Sequence, residues 1–175
     1  MQSWIRTALA GLLVAACGSE APQSSAAQGD KPRKDASGID ACALVTTEDI
    51  EGAAGWKPEA TDPQTHGRTA TCTYHRADGA KVQTVVLILS PGMRVLESSA
   101  AMAEWRTQQA ARHPDIKMII QPVEGLGVPA ISSRTEDDQV PTLEASAKGL
   151  LLAVRSSSLE VSKALAAKAI ARLPS

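Results

Sequence analysis

The side chains best suited to covalent or metal chemistry in this 175-residue chain are three cysteines and three histidines: Cys17, Cys42, Cys72, His66, His75 and His113. A thiolate can be acylated, oxidised to a disulfide or bound to a metal, and an imidazole can serve as base or ligand. None of the six stands in a His-Glu-x-x-His or Cys-x-x-Cys spacing, and the chain has no Gly-x-Ser-x-Gly elbow or P-loop. The nearest approach to a metal motif is Cys72-x-x-His75 with Cys42. Residues three apart on a strand point to opposite faces, and no fourth ligand stands at a zinc-like spacing. Glu136-Asp137-Asp138 reads as an exposed acidic turn rather than a cation site. Gly125-Leu126-Gly127-Val128-Pro129-Ala130 matches a dinucleotide string, but Pro122 breaks the strand before it and no helix follows, so it reads as a turn. The chain therefore nominates no catalytic residue, no metal ligand and no cofactor site.

Cys17 stands apart by its setting. Met1 to Arg6 carries one positive charge, Thr7 to Ala16 is a short apolar run, and Leu13-Val14-Ala15-Ala16-Cys17 resembles the lipobox of bacterial lipoprotein precursors. The run is about half the ~20 residues that a spanning helix needs. The resemblance implies a signal peptide over residues 1–16, removed on export, and lipid attached at Cys17. The competing reading is an ordinary secretory signal with a chance cysteine, or a hydrophobic N-terminal helix. With more than one acyl chain, as in such lipoproteins, the protein would be held stably at a cell-envelope membrane, facing the periplasm or the outer surface.

Residues 17–38 then form the lipidated cysteine and its tether. Gly18 to Gly38 contains no large apolar residue, which predicts a disordered coil reaching roughly 25 Å. Lys31-Pro32-Arg33-Lys34 is flanked by Asp30 and Asp35, so it reads as part of a solvated linker. Residues 39–175 are of a length for one domain with its own core. The formal net charge is −1, which excludes a strong nucleic-acid field. Phenylalanine is absent, and past Cys17 the only aromatics are Trp56, Tyr74 and Trp105, which excludes stacking platforms for bases and leaves little for sugars.

Export to an oxidising compartment changes the reading of the other two cysteines. Cys42 precedes the first helix, and Cys72 lies on the inward face of a strand. A bridge between them closes a loop of about 30 residues, worth roughly 3–4 kcal/mol in the chain-entropy model.

The elements that must position these residues have clear signals. Thr46 with Asp49 forms a capping box, Val45 and Ile50 a hydrophobic staple, and Gly55 a left-handed stop, giving a helix over Thr47 to Ala54. The stretch Trp56 to Gly67 reads as a long polar loop. Arg68 to Arg76 alternates, Asp78-Gly79 marks a hairpin, and Lys81 to Leu89 is a second, more apolar strand. A helix over Arg94 to Arg112 is predicted to turn Leu96, Ala100, Ala103, Thr107 and Ala110 inward, widened by Met102 and Trp105. Strands follow over Ile116 to Gln121, Val128 to Arg134, Thr142 to Ala147 and Leu150 to Ser156, with a turn at Lys148-Gly149. Ser157 with Glu160 predicts a capping box for a final helix whose core face is Val161, Ala164, Leu165, Ala169 and Leu173. The expected fold is α+β, a mainly antiparallel sheet of about six strands with helices on one face, in the order α-β-β-α-β-β-β-β-α.

Asp40-Ala41-Cys42-Ala43-Leu44-Val45-Thr46-Thr47-Glu48-Asp49, Thr71-Cys72-Thr73-Tyr74 and Val123-Glu124-Gly125-Leu126-Gly127-Val128-Pro129-Ala130 together resemble the DUF3558-like envelope lipoproteins. The likeness covers Asp40 to Leu173. It departs at Gly127-Val128-Pro129-Ala130, where that family often has Gly-Asp-Ala-Ala. It supports the fold and the disulfide more than any activity; some related envelope lipoproteins carry a PsbP/Mog1-like α/β sandwich.

Two functions compete. One is a tethered binding or interaction module for an envelope protein or a small ligand, without enzymatic activity. The other is an envelope hydrolase assembled from dispersed residues such as His66, His75 and the acidic triplet, on the long polar loops 56–67 and 134–141.

Overall fold

Antiparallel hairpins dominate the connections, and they build one seven-stranded sheet in the order β1-β2-β3-β7-β6-β5-β4. The strands are β1 (Ala60–His66), β2 (Thr69–His75), β3 (Lys81–Ile88), β4 (Met118–Pro122), β5 (Ala130–Thr135), β6 (Thr142–Ala147) and β7 (Leu150–Arg155). The helices are α1 (Ala41–Leu44), α2 (Thr47–Ala54), α3 (Ser99–Ala110) and α4 (Leu159–Arg172). The computed structural model describes residues 38–88 and 96–174. The expected signal peptide over 1–16, the expected lipid site at Cys17, nearly all of the expected tether 17–38, and the expected start of the third helix at Arg94 lie outside them.

The local signals after Cys42 operate as read. Thr46 Oγ1 accepts from Asp49 N–H, Asp49 Oδ2 accepts from Thr46 N–H at 2.9 Å, and Gly55 takes the left-handed conformation at φ 75°. Val45 and Ile50 are both fully buried. A short α1, capped by Asp40, precedes this helix. The Asp78-Gly79 turn closes β2 onto β3, and Lys148 and Gly149 both adopt positive φ in the tight β6–β7 turn.

Three expectations change. The sheet has seven strands, because Ala60–His66 forms β1 rather than a loop. All seven of its side chains are exposed, so it lacks the alternation that marks a half-buried strand; its ladder to β2 holds it. Pro63, which has no N–H to give, is tolerated on this edge. Secondly, the helices do not share one face. α1, α2 and α4 lie together, with α4 over β6 and β7, while α3 packs on β4 and β5. In β7, Leu150, Leu152 and Val154 join the main core with Leu165, Ala166 and Ala169 of α4. Leu151 points the other way, to a second core with Leu96, Met102 and Ile131. A strand that buries consecutive residues needs cover on both faces.

The third change is rotational. Helix α3 starts only after Ser98, whose side chain caps Ala101 N–H. Met102 is fully buried, while Ala100 and Thr107 are exposed. Helix α4 is capped by Ser158 rather than Ser157, and it buries Ser162, Leu165, Ala166 and Ala169 while Ala164 faces out. The Ser162 hydroxyl reaches Ser156 Oγ at 2.9 Å, so burying it leaves no polar atom orphaned.

Candidate functional site

Cys42 and Cys72 are joined by a disulfide, with Cα atoms 5.1 Å apart. Tyr74, on the same inward face of β2, donates its hydroxyl to the carbonyls of Cys42 and Val45. Burial raises the Tyr74 phenol to about 12, so it stays a donor at any physiological pH. The bridge and this phenol fix α1 to the sheet. They occupy Cys72, and His75 projects to solvent from the opposite face, so the two do not converge as a metal pair.

The dispersed groups of a hydrolase are not brought together. In the β1–β2 register His66 pairs with Thr69 and His75 with Ala60, which places the two imidazoles about 20 Å apart at opposite strand ends. His113 follows α3, and the acidic triplet follows β5 on the far half of the sheet. Within that triplet Asp138 is engaged structurally. It accepts Val140 N–H at 3.0 Å and pairs with Arg155, and these contacts hold its carboxyl below the usual range. Gly125 and Gly127 have φ of 84° and 70°, and the loop leads into β5, not a helix. Leu126 and Val128 pack on the main core, so the Gly-Leu-Gly segment works as a structural turn.

Where recognition groups do converge is at the sheet end formed by the start of β3 and the finish of β7. A cleft of about 540 Å³ opens there, within the range of small-molecule sites. Its walls include Trp56, from the segment after α2, Lys81 and Gln83 from β3, Val140 from the β5–β6 connection, and Arg155 to Ser157 at the end of β7. The Trp56 indole is 9% exposed and lies under the Arg76 guanidinium, 5.5 Å from the ring centroid. Arg76 is steadied by Asp78, at 2.7 Å from Nε to Oδ1, and Asp78 also accepts Ala80 N–H. That pairing, with the backbone bond, brings the Asp78 carboxyl down to about 2. Gln83 donates to Thr73 Oγ1 at 3.4 Å, which orients its amide.

The cleft thus offers the Lys81 ammonium, the Gln83 amide and the exposed Ser157, beside an Arg155 guanidinium paired with Asp138 and the buried edge of Trp56. An ammonium with a few convergent neutral donors suits a small polar ligand carrying negative charge. A second recess, about 650 Å³ between α1 and β1, has less to offer. Its Asp40 carboxylate already caps α1 and its Gln64 amide is held by Asp62. Sequence reasoning did not nominate the Trp56 cleft, because its walls come from four separate segments and no spacing links them. The one available signal was a lone tryptophan directly after the Gly55 stop.

Comparison with protein-family models, with curated proteins and with solved structures finds no match to this chain.

Proposed function

We propose that this protein is an exported lipoprotein of the bacterial cell envelope, held to the membrane through lipid on Cys17, and that its α+β domain is a binding module rather than an enzyme. The DUF3558-like resemblance in the segments around Cys42, Cys72 and Gly125 supports the same assignment. The observation that carries the binding reading is the convergence of Trp56, Lys81, Gln83 and Arg155 on one cleft. The lipobox-like segment carries the anchoring, and the Cys42–Cys72 disulfide accords with an oxidising compartment.

Two experiments test the proposal. Metabolic labelling with palmitate should mark the full chain and vanish in Cys17→Ser; labelling that survives the substitution removes the anchor. Crosslinking in envelope membranes, followed by purification, should capture a partner or ligand that is lost in Trp56→Ala and in Lys81→Ala. Equal capture by those variants would eliminate the cleft as the binding site.

A further inference from the structure

The face of the sheet under α3 holds a charged pair in an apolar setting. Glu144 of β6 is 3% exposed, beside the second core of Met102, Ile131 and Leu151. It accepts a hydrogen bond from Ser133 Oγ at 2.7 Å, and Arg106 Nε lies 3.2 Å from the same oxygen without hydrogen-bond alignment. Glu144 is buried while the Arg106 side chain is 35% exposed, and a partly buried pair of this kind seldom stabilises a fold more than apolar residues of the same size would. Its evident effect is to set the direction of Arg106. With Nε drawn toward Glu144, the two Nη groups carry no acceptor among the described residues.

Arg106 forms one wall of a recess of about 340 Å³ between the last turns of α3 and the start of β4. Gln109 follows at i+3 on the same side of α3, and Arg112 and His113, from the turn beyond the helix, join it. The remaining lining is Ala110, Ile116 and Met118, so the recess has no acidic wall. Ile116, at 48% exposure, is the large apolar side chain left open to solvent among the described residues. The recess therefore pairs donor groups on one side with an apolar floor on the other. Cations also suit the C-terminal end of a helix for electrostatic reasons alone. That role requires neither a recess nor a buried carboxylate to orient one of them.

We infer that this recess is a second binding site, separate from the Trp56 cleft, for a compact oxyanion: a phosphate or carboxylate group on a small solute. The Arg106 fork and Arg112 supply planar, charged donors, which match an oxyanion with paired hydrogen bonds. Gln109 adds a neutral donor, and Ile116 and Met118 can take the organic body of the solute.

The test is a titration of the full chain in detergent, followed by amide and arginine side-chain NMR. Inorganic phosphate forms one arm and acetate the other, both against sodium chloride at matched ionic strength. Saturable shifts confined to residues 106–118 are expected in at least one arm, and the arm that saturates at lower concentration identifies the group. Arg112→Ala, an exposed change that spares the fold, should weaken binding about tenfold. Arg106→Lys keeps the charge and loses the fork, and should weaken it similarly. The inference is overturned if neither anion saturates, or if both variants bind as well as the parent chain.

Discussion

Replacing Arg172 by methionine should remove a charged clasp between the two ends of the described domain. Arg172, in the last turn of α4, donates through Nη1 and Nη2 to Asp49, and through Nη1 to the Leu44 carbonyl at 2.9 Å. Asp49 is the same carboxylate that closes the Thr46 capping box. The Arg172 hydrogen bond is the largest cause that brings Asp49 from 3.8 down to about 2, with the Thr46 backbone and hydroxyl bonds adding to it. A carboxyl lowered that far is worth about 2 kcal/mol at neutral pH. The Asp49 side chain is 10% exposed but that of Arg172 is 38% exposed, so solvent screening reduces the share owed to Arg172 to about 1–1.5 kcal/mol. Methionine retains the apolar stem while deleting the guanidinium.

Urea unfolding followed by circular dichroism, with the disulfide intact, measures the difference between parent and variant. Because the folded carboxyl titrates below the unfolded one, the stabilisation is present above about pH 4 and is lost as the pH falls toward 2. The parent should exceed Arg172→Met by about 1–1.5 kcal/mol at pH 7, or about 3–6 °C in Tm. At pH 2 the gap should shrink to the roughly 0.5 kcal/mol of the Leu44 bond. A gap of constant size from pH 7 to pH 2 would refute the electrostatic account and assign the loss to packing of α4.

Other changes probe the core and the bridge. Thr84 is fully buried, and its hydroxyl has no partner among the described residues, so Thr84→Val should raise stability by about 1 kcal/mol in the same assay; a loss of stability would show that the hydroxyl is satisfied. The Cys42–Cys72 bridge spans a sequence separation of 30, so the double alanine variant should lose about 3–4 kcal/mol. Non-reducing peptide mapping of protein taken from the envelope should yield the Cys42–Cys72 pair, and two free thiols there would contradict it. Met102→Ala should cost about 2–5 kcal/mol, since Met102 fills the core beneath α3; a cost below 1 kcal/mol would mean that this core collapses around the gap.

Short-range chemistry was legible wherever one residue acts on its near neighbours. The Thr46–Asp49 box, the Gly55 stop, the Asp78-Gly79 hairpin and the Lys148-Gly149 turn depend on local dihedral preferences and on hydrogen bonds a few residues long. The strand β2 was legible too, because Ala70, Cys72 and Tyr74 alternate inward in the sequence as they do in the core.

What only the tertiary structure decided depends on which neighbours a segment meets. β1 carries no hydrophobic pattern, since an exposed edge strand is held by backbone pairing with β2, and backbone groups are the same for every sequence. Helix α3 crosses to the other face because β5 and β7 bury consecutive residues, and the sequence does not say which helix will cover them. The faces of α3 and α4 are rotated from the expected ones because Met102 and Ser162 find partners across the core. The two candidate sites have the same origin. Trp56 and Arg155 line one cleft, and Arg106 meets Glu144, across long stretches of chain, so only the assembled sheet brings these groups within reach.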